Sequence, residues 1–161
     1  MNILDGIAKT EAEKYLELAT REARKSSCTR AQCGGVLVNG GKIIGRGYNS
    51  PPLNDENNRM CENEYTYSNG EKLKYDTTCC IHAEWRVLID AVKRNPKLVK
   101  GSTLYFMRIE EGEPIPTQPF CTVCSRLLLG NGVKDVVLWQ DEGLVLYDTK
   151  NYNQANYSFF L

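Results

Sequence analysis

Residues 102–139 read STLYFMRIEEGEPIPTQPFCTVCSRLLLGNGVKDVVLW, and their order of elements sets the architecture of the whole chain. Residues 102–109 are a run of aliphatic, aromatic and β-branched side chains, which predicts a strand. EEGEPIPTQP then reads as a loop. Residues 121–129 predict a short helix, because Gly130-Asn131-Gly132 follows them as a stop signal. Residues 133–139 predict a second strand. Strand, helix and strand in succession imply a right-handed crossover and a parallel pair within one sheet.

The elements outside this stretch extend the same sheet. Leu4, Ala8, Ala12, Tyr15, Leu16, Ala19 and Ala23 recur at helical spacing and predict an amphipathic helix over residues 5–25. GGVLVNGGKIIGRGYN, residues 34–49, places two β-rich runs around Asn39-Gly40-Gly41, the pattern of a hairpin. Residues 81–94 predict a helix stopped near Asn95-Pro96. A short strand is expected at 144–147, and the aromatic tail ending in YSFFL is left open between core, interface and pocket wall. The expected fold class is α/β, with three layers and a mixed sheet of about five strands carrying helices on both faces. The whole of 1–161 is expected to form one domain, with 49–80 a long loop insertion and 141–161 a C-terminal extension. Residues 50–78 are polar, carry Pro51 and Pro52 and show no sustained period; Tyr65, Tyr67 and Tyr75 are expected to pack that loop down.

Composition narrows the function. Twenty Lys and Arg balance twenty Asp and Glu, so bulk attraction to nucleic acid or to an anionic membrane is not expected. No apolar stretch is long enough to span a bilayer, and the N-terminal residues lack a secretion-signal pattern, which makes the cytoplasm the expected location. Seven cysteines stand against a single histidine, His82. An odd cysteine count without an export signal points to metal binding or buried thiols rather than to a disulfide framework. Lys93, Arg94, Lys97 and Lys100 form a basic run, best read as charges complementing a helix C-terminus.

Two short motifs carry chemistry. Cys80-Ile81-His82-Ala83-Glu84 opens one predicted helix, and Pro119-Phe120-Cys121-Thr122-Val123-Cys124 opens another. Cys121 and Cys124, three positions apart, lie about 60° apart around a helix axis and can converge on one ion. His82 would add an imidazole, giving three ligands for Zn2+ and leaving an open position of the kind that separates catalytic from structural zinc. Glu84 lies two residues beyond His82, so in a regular helix it would face away; both reach one site only at a helix end. There Glu84 is a candidate proton shuttle.

With H-x-E and a following P-x-C-x-x-C in place, the chain resembles the zinc-dependent cytidine and deoxycytidylate deaminase superfamily, whose signature is H-x-E followed by P-C-x-x-C. IIGRGYN followed by Ser-Pro is similar to the segment before the long loop in deoxycytidylate deaminases, and the order of elements over residues 5–140 is similar too. The resemblance implies that His82, Cys121 and Cys124 bind zinc, that Glu84 shuttles the proton, that Asn49 contacts the sugar and that the Ala83 amide helps hold the pyrimidine. It implies hydrolytic deamination of a cytosine ring in a free nucleotide or nucleoside, foremost dCMP to dUMP, by a homo-oligomer. Departures are Phe120 between Pro119 and Cys121, the longer stretch after Ile109, and the bulk of Trp85.

Cys28, Cys61, Cys79, Cys80 and Cys33 remain. Some phage-type deoxycytidylate deaminases carry an additional structural zinc, and Cys28, Cys61 and Cys80 are similarly placed, with Cys79 a candidate fourth ligand. Such a clip would anchor a polar loop that has little apolar surface to hold it. Cys33 reads as a small buried hydrophobe. Two other functions fit the same motifs: a deaminase of bases in tRNA or single-stranded nucleic acid, for which a basic track with aromatics is missing, and a non-catalytic domain in which Cys80 closes the zinc shell.

Overall fold

The computed structural model describes residues 1–61 and 79–158. The elements are β1 (Asn2–Ile3), α1 (Gly6–Ala23), β2 (Gln32–Asn39), β3 (Lys42–Tyr48), α2 (Ala83–Arg94), β4 (Thr103–Glu110), β5 (Glu113–Ile115), α3 (Thr122–Gly130), β6 (Asp135–Gln140), β7 (Gly143–Asp148) and α4 (Thr149–Ser158). Among the described residues the sheet has seven strands in the order β1-β7-β6-β4-β2-β3, with β5 paired to β4. As expected, β4 and β6 are parallel, with Thr103 opposite Asp135 and α3 in the crossover. β2 and β3 form the expected hairpin, closed where Asn39 pairs with Lys42. The strands beyond the expected five are β1, two residues long, and β5, three residues long.

Alternation along β4 sorts the layers. Tyr105 and Met107 face α1, where Met107, Val137 and Leu144 pack against Ala12, Leu16 and Ala19. Leu104 and Phe106 face the other way, into a larger core with Val87 and Leu88 of α2, Leu128 of α3 and Tyr152 of α4. Period-two alternation in a strand is what lets one sheet bury both faces under helices. Two glycines allow close approach. A Cβ on Gly34 would lie 2.2 Å from the Ala23 nitrogen of α1, and one on Gly47 would lie 2.6 Å from the Arg86 Cβ of α2. Gly47 therefore lets the first turns of α2 rest directly on the sheet.

Two elements differ from the sequence reading. Within EEGEPIPTQP, Glu111 (φ 51°) and Gly112 (φ 87°) make a tight turn that pairs Glu113 back onto Glu110. Pro114 and Pro116 hid this hairpin, since proline demotes a strand, but Pro114 sits on a short outer strand that tolerates the missing donor. The tail after β7 is the helix α4. Its sequence, TKNYNQANYS, is poor in helix formers, yet the Asp148 carboxylate accepts from the Lys150 and Asn151 amides at 2.8 and 3.3 Å. That is an N-cap. The described part of the long loop contains two single turns, Pro52–Asn54 and Glu56–Asn58. Tyr65, Tyr67, Tyr75 and the last three residues of the tail lie outside the described residues.

Candidate metal centre

Both motifs sit at helix N-termini. His82 is the N-cap of α2, with extended backbone (φ −63°, ψ 151°), and Cys121 is the N-cap of α3 (φ −114°, ψ 96°). Because His82 precedes the helix, its side chain is free of the helical phase that would send it away from Glu84. The Cys121 sulfur accepts the Cys124 amide at 3.3 Å, so the cap itself shapes the thiol turn. His82 Nδ1, Cys121 Sγ and Cys124 Sγ form one group with every pair within 4.8 Å. Nδ1 lies 3.2 Å from Cys124 Sγ and 3.6 Å from Cys121 Sγ, and the two sulfurs are 2.7 Å apart.

This donor set fits zinc. Zn–S and Zn–N bonds of about 2.3 and 2.0 Å in a tetrahedron require N···S edges near 3.5 Å and S···S edges near 3.8 Å. The imidazole is in place, and the two thiols must part by about 1 Å. Their electrostatics favour replacement of a proton by a cation. The hydrogen bond between the two sulfurs pulls the Cys121 thiol down to about 5 and drives Cys124 well above the usual thiol range. His82 is raised to about 9, chiefly because the Cys121 sulfur takes a hydrogen bond from its ring, against the opposing effect of burial.

Glu84 stands beside the group without belonging to it. It is buried in the first turn of α2. Burial pushes its carboxyl upward, and the facing His82 pulls it back. Ala83, fully buried, is the first helical residue, and an amide in that position has no intrahelical acceptor. Asn49 is buried just beyond β3. Its side chain accepts the Cys33 amide at 2.7 Å and donates to the Ala31 carbonyl at 2.9 Å, which leaves one amide hydrogen and one lone pair. Cys33 packs against the α2-side core, and burial drives its thiol upward. Phe120, the extra residue before Cys121, lies with its ring 5.5 Å from the Arg108 guanidinium, which also pairs with Glu110.

A second group lies at the loop end of the same helix. The sulfurs of Cys28, Cys61 and Cys80 are all within 4.8 Å of one another. Cys61 is 3.8 Å from Cys28 and 3.3 Å from Cys79, and Cys79 is 3.7 Å from Cys80. The Cys28–Cys61 spacing is close to the S···S edge of about 3.8 Å in a thiolate zinc site, whereas Cys79, the expected fourth ligand, touches Cys61 and Cys80 but lies outside the group of three. A hydrogen bond from Cys80 pulls the Cys28 thiol down to about 5 and pushes Cys80 up. Sequence reading missed what lies behind the first group. The Ser125 hydroxyl, one residue past Cys124, donates to Asn153 Oδ1 at 2.8 Å, and Tyr152 joins the core shared by α2 and α3. The sequence signal for both was the Asp148 cap.

A mixed sheet flanked by helices, with an imidazole and two thiols converging from two helix N-termini, defines an α/β fold built around a candidate metal site. The chain belongs to the cytidine and deoxycytidylate deaminase family: the model of that family's zinc-binding region matches residues 9–140. The deoxycytidylate deaminase of Mycobacterium phage D29 is 30% identical over 134 residues, covering 78% of this chain and 91% of that protein. That of Schizosaccharomyces pombe is 30% identical over 128 residues, covering 76% of this chain and 35% of the relative, so the chain spans about a third of that protein's length. Among solved structures, the dCMP deaminase of cyanophage S-TIM5 in complex with dCMP and dUMP superposes with a TM-score of 0.55 at 24% identity, over 81% of this chain and 82% of that one. The likeness to that structure is one of fold.

Proposed function

We propose that the chain is a zinc-dependent hydrolytic deaminase of a free cytosine nucleotide, with dCMP and water as substrates and dUMP and ammonia as products. One observation carries the reading: His82, Cys121 and Cys124 form a three-donor group, and the buried Glu84 carboxylate stands beside it as a non-member. Three protein ligands leave a position open, as hydrolytic zinc sites require. Zn2+ held by His82 Nδ1 and the two sulfurs would supply the Lewis acidity that makes a water acidic near neutral pH. Glu84 takes the proton of the attacking water as it adds to C4 of the ring. It then delivers that proton to the ring nitrogen, and carries the second proton, from the hydroxyl now on C4, to the amine as the C4–N bond breaks and ammonia leaves, acting in turn as base and as acid. The Ala83 amide holds the pyrimidine, and Asn49 uses its spare hydrogen-bonding capacity at the sugar. The names of the relatives support dCMP as the nucleotide.

Cys28, Cys61, Cys79 and Cys80 hold a second, structural zinc that clips the long loop beside the site. The protein works in the cytoplasm as a homo-oligomer, and light scattering reads its mass. No described helix is long and apolar enough to cross a membrane. The deciding experiment incubates the zinc-loaded protein with dCMP, dCTP, cytidine, deoxycytidine and cytosine and follows ammonia. Turnover is expected foremost on dCMP, and silence on all five would overturn the reading.

A further inference from the structure

The family match ends at residue 140, yet the structure continues into β7 and α4, and α4 packs on the helix that carries both thiols. Two contacts define that packing. Tyr152 is buried in one cluster with Ala83 and Val87 of α2 and Leu128 of α3, so a single side chain from beyond the matched region touches the core under both metal-bearing helices. Ser125 is completely buried and follows Cys124 directly. Its hydroxyl donates to Asn153 Oδ1 at 2.8 Å and lies 3.2 Å from the Thr122 carbonyl, between the two thiols in sequence. The backbone of this turn is bound into the site as well, through the Cys124 amide on Cys121 Sγ.

We propose that Asn153 is a positioning residue of the metal centre, acting through Ser125 to fix the Cys121–Cys124 turn in a geometry that accepts the ion. The inference rests on the assignment of His82, Cys121 and Cys124 as ligands. It is physically reasonable because the two sulfurs must separate before they can share an ion, while the turn carrying them must not unwind. A hydrogen bond from the residue after Cys124 to a neighbouring helix restrains the turn without occupying either sulfur. Partners of this kind, one step removed from the ion, typically change metal affinity by about 10–100-fold when removed. Asn153 is only half-buried, so its truncation is compatible with a folded chain.

The test uses the full chain loaded with zinc and, separately, with cadmium. Chelator competition measures affinity, and cadmium NMR separates a site with two thiolates and an imidazole from an all-thiolate site. Asn153→Ala and Ser125→Ala are each expected to weaken the His82 site about tenfold and to move its cadmium resonance, with the all-thiolate resonance unmoved. Together they are expected to cost no more than Ser125→Ala alone, because that variant already removes the bond to Asn153. Asn39→Ala, which deletes a side-chain bond to the Leu98 carbonyl far from the cysteines, is the control and should leave metal affinity unchanged. Affinities of the two variants within twofold of the parent, or losses that simply add, would overturn the inference while leaving the ligand assignment standing. A parent that binds no metal at His82 would overturn both. Asn153→Ser, which keeps an acceptor on α4, should recover part of the lost affinity, and failure to do so counts against the positioning role.

Discussion

The two cysteine groups are built from opposite materials. His82, Cys121 and Cys124 come from the N-caps of α2 and α3, two helices packed against one face of the sheet. Cys28 follows α1, Cys61 lies in the long loop, and Cys79 and Cys80 lead into α2, so no cysteine of the second group belongs to a helix or strand. In the first case the fold holds the side chains and an ion would gain a prepared site. In the second the cysteines come from three connecting segments, and an ion would tie those segments together. The groups are also linked, because only Ile81 separates Cys80 from His82.

The sharpest way to break the comparison is at Glu84, which serves only the first group. Glu84→Gln should leave two zinc ions per chain and lower turnover by about 10²–10⁴-fold, the usual contribution of a positioned acid-base group. Metal analysis beside a rate assay reads it, and retained activity would reduce Glu84 to a buried structural acid. Next in size is Cys61→Ser. It should drop the zinc content from two to one, raise proteolysis in the loop and lower turnover by far less than Glu84→Gln does. If both ions leave together, the two groups are one cooperative unit and the contrast collapses.

How much of this was legible in the sequence follows the same division. The β4–α3–β6 crossover and the β2–β3 hairpin were readable because periodicity and glycine turns are local signals. His82, Cys121, Cys124 and Glu84 stood out because their spacing suits a metal. The sequence already required a helix end for His82 and Glu84 to share a site, but it concealed the extended N-cap backbone that meets this requirement. It also concealed α4, whose interior is made of weak helix formers and whose stability comes from packing on α3 rather than from propensity. The strand β5 was masked by Pro114 and Pro116, which are breakers in most contexts.

Packing under the first group can be probed at Gly47. Its missing Cβ admits the start of α2, and an added methyl would meet the Arg86 Cβ at 2.6 Å and the Val87 nitrogen at 2.6 Å. Backbone cannot swing aside as a flexible side chain does, so Gly47→Ala should destabilise the fold by about 1–3 kcal/mol, read by urea denaturation. Because Arg86 and Val87 lie in the first turns of α2, the displaced helix should also weaken metal binding at His82 more than at the loop cysteines. An unchanged denaturation midpoint would mean that the sheet yields at its outer strand, β3.

The smallest effect expected is at Asp148, which caps α4 through the Lys150 and Asn151 amides. Truncating such a cap costs about 1 kcal/mol. Asp148→Ala should therefore lower global stability by about that amount, while Asp148→Asn, which keeps an acceptor for the two amides, should lower it by less. The informative reading is local. Asp148→Ala frays the first turn of α4, where Tyr152 enters the core shared by α2 and α3, so hydrogen exchange should rise at the α3 amides more than at those of α1. Equal rises on both faces of the sheet would show that α4 only adds to the overall stability and has no particular hold on the helix that carries Cys121 and Cys124.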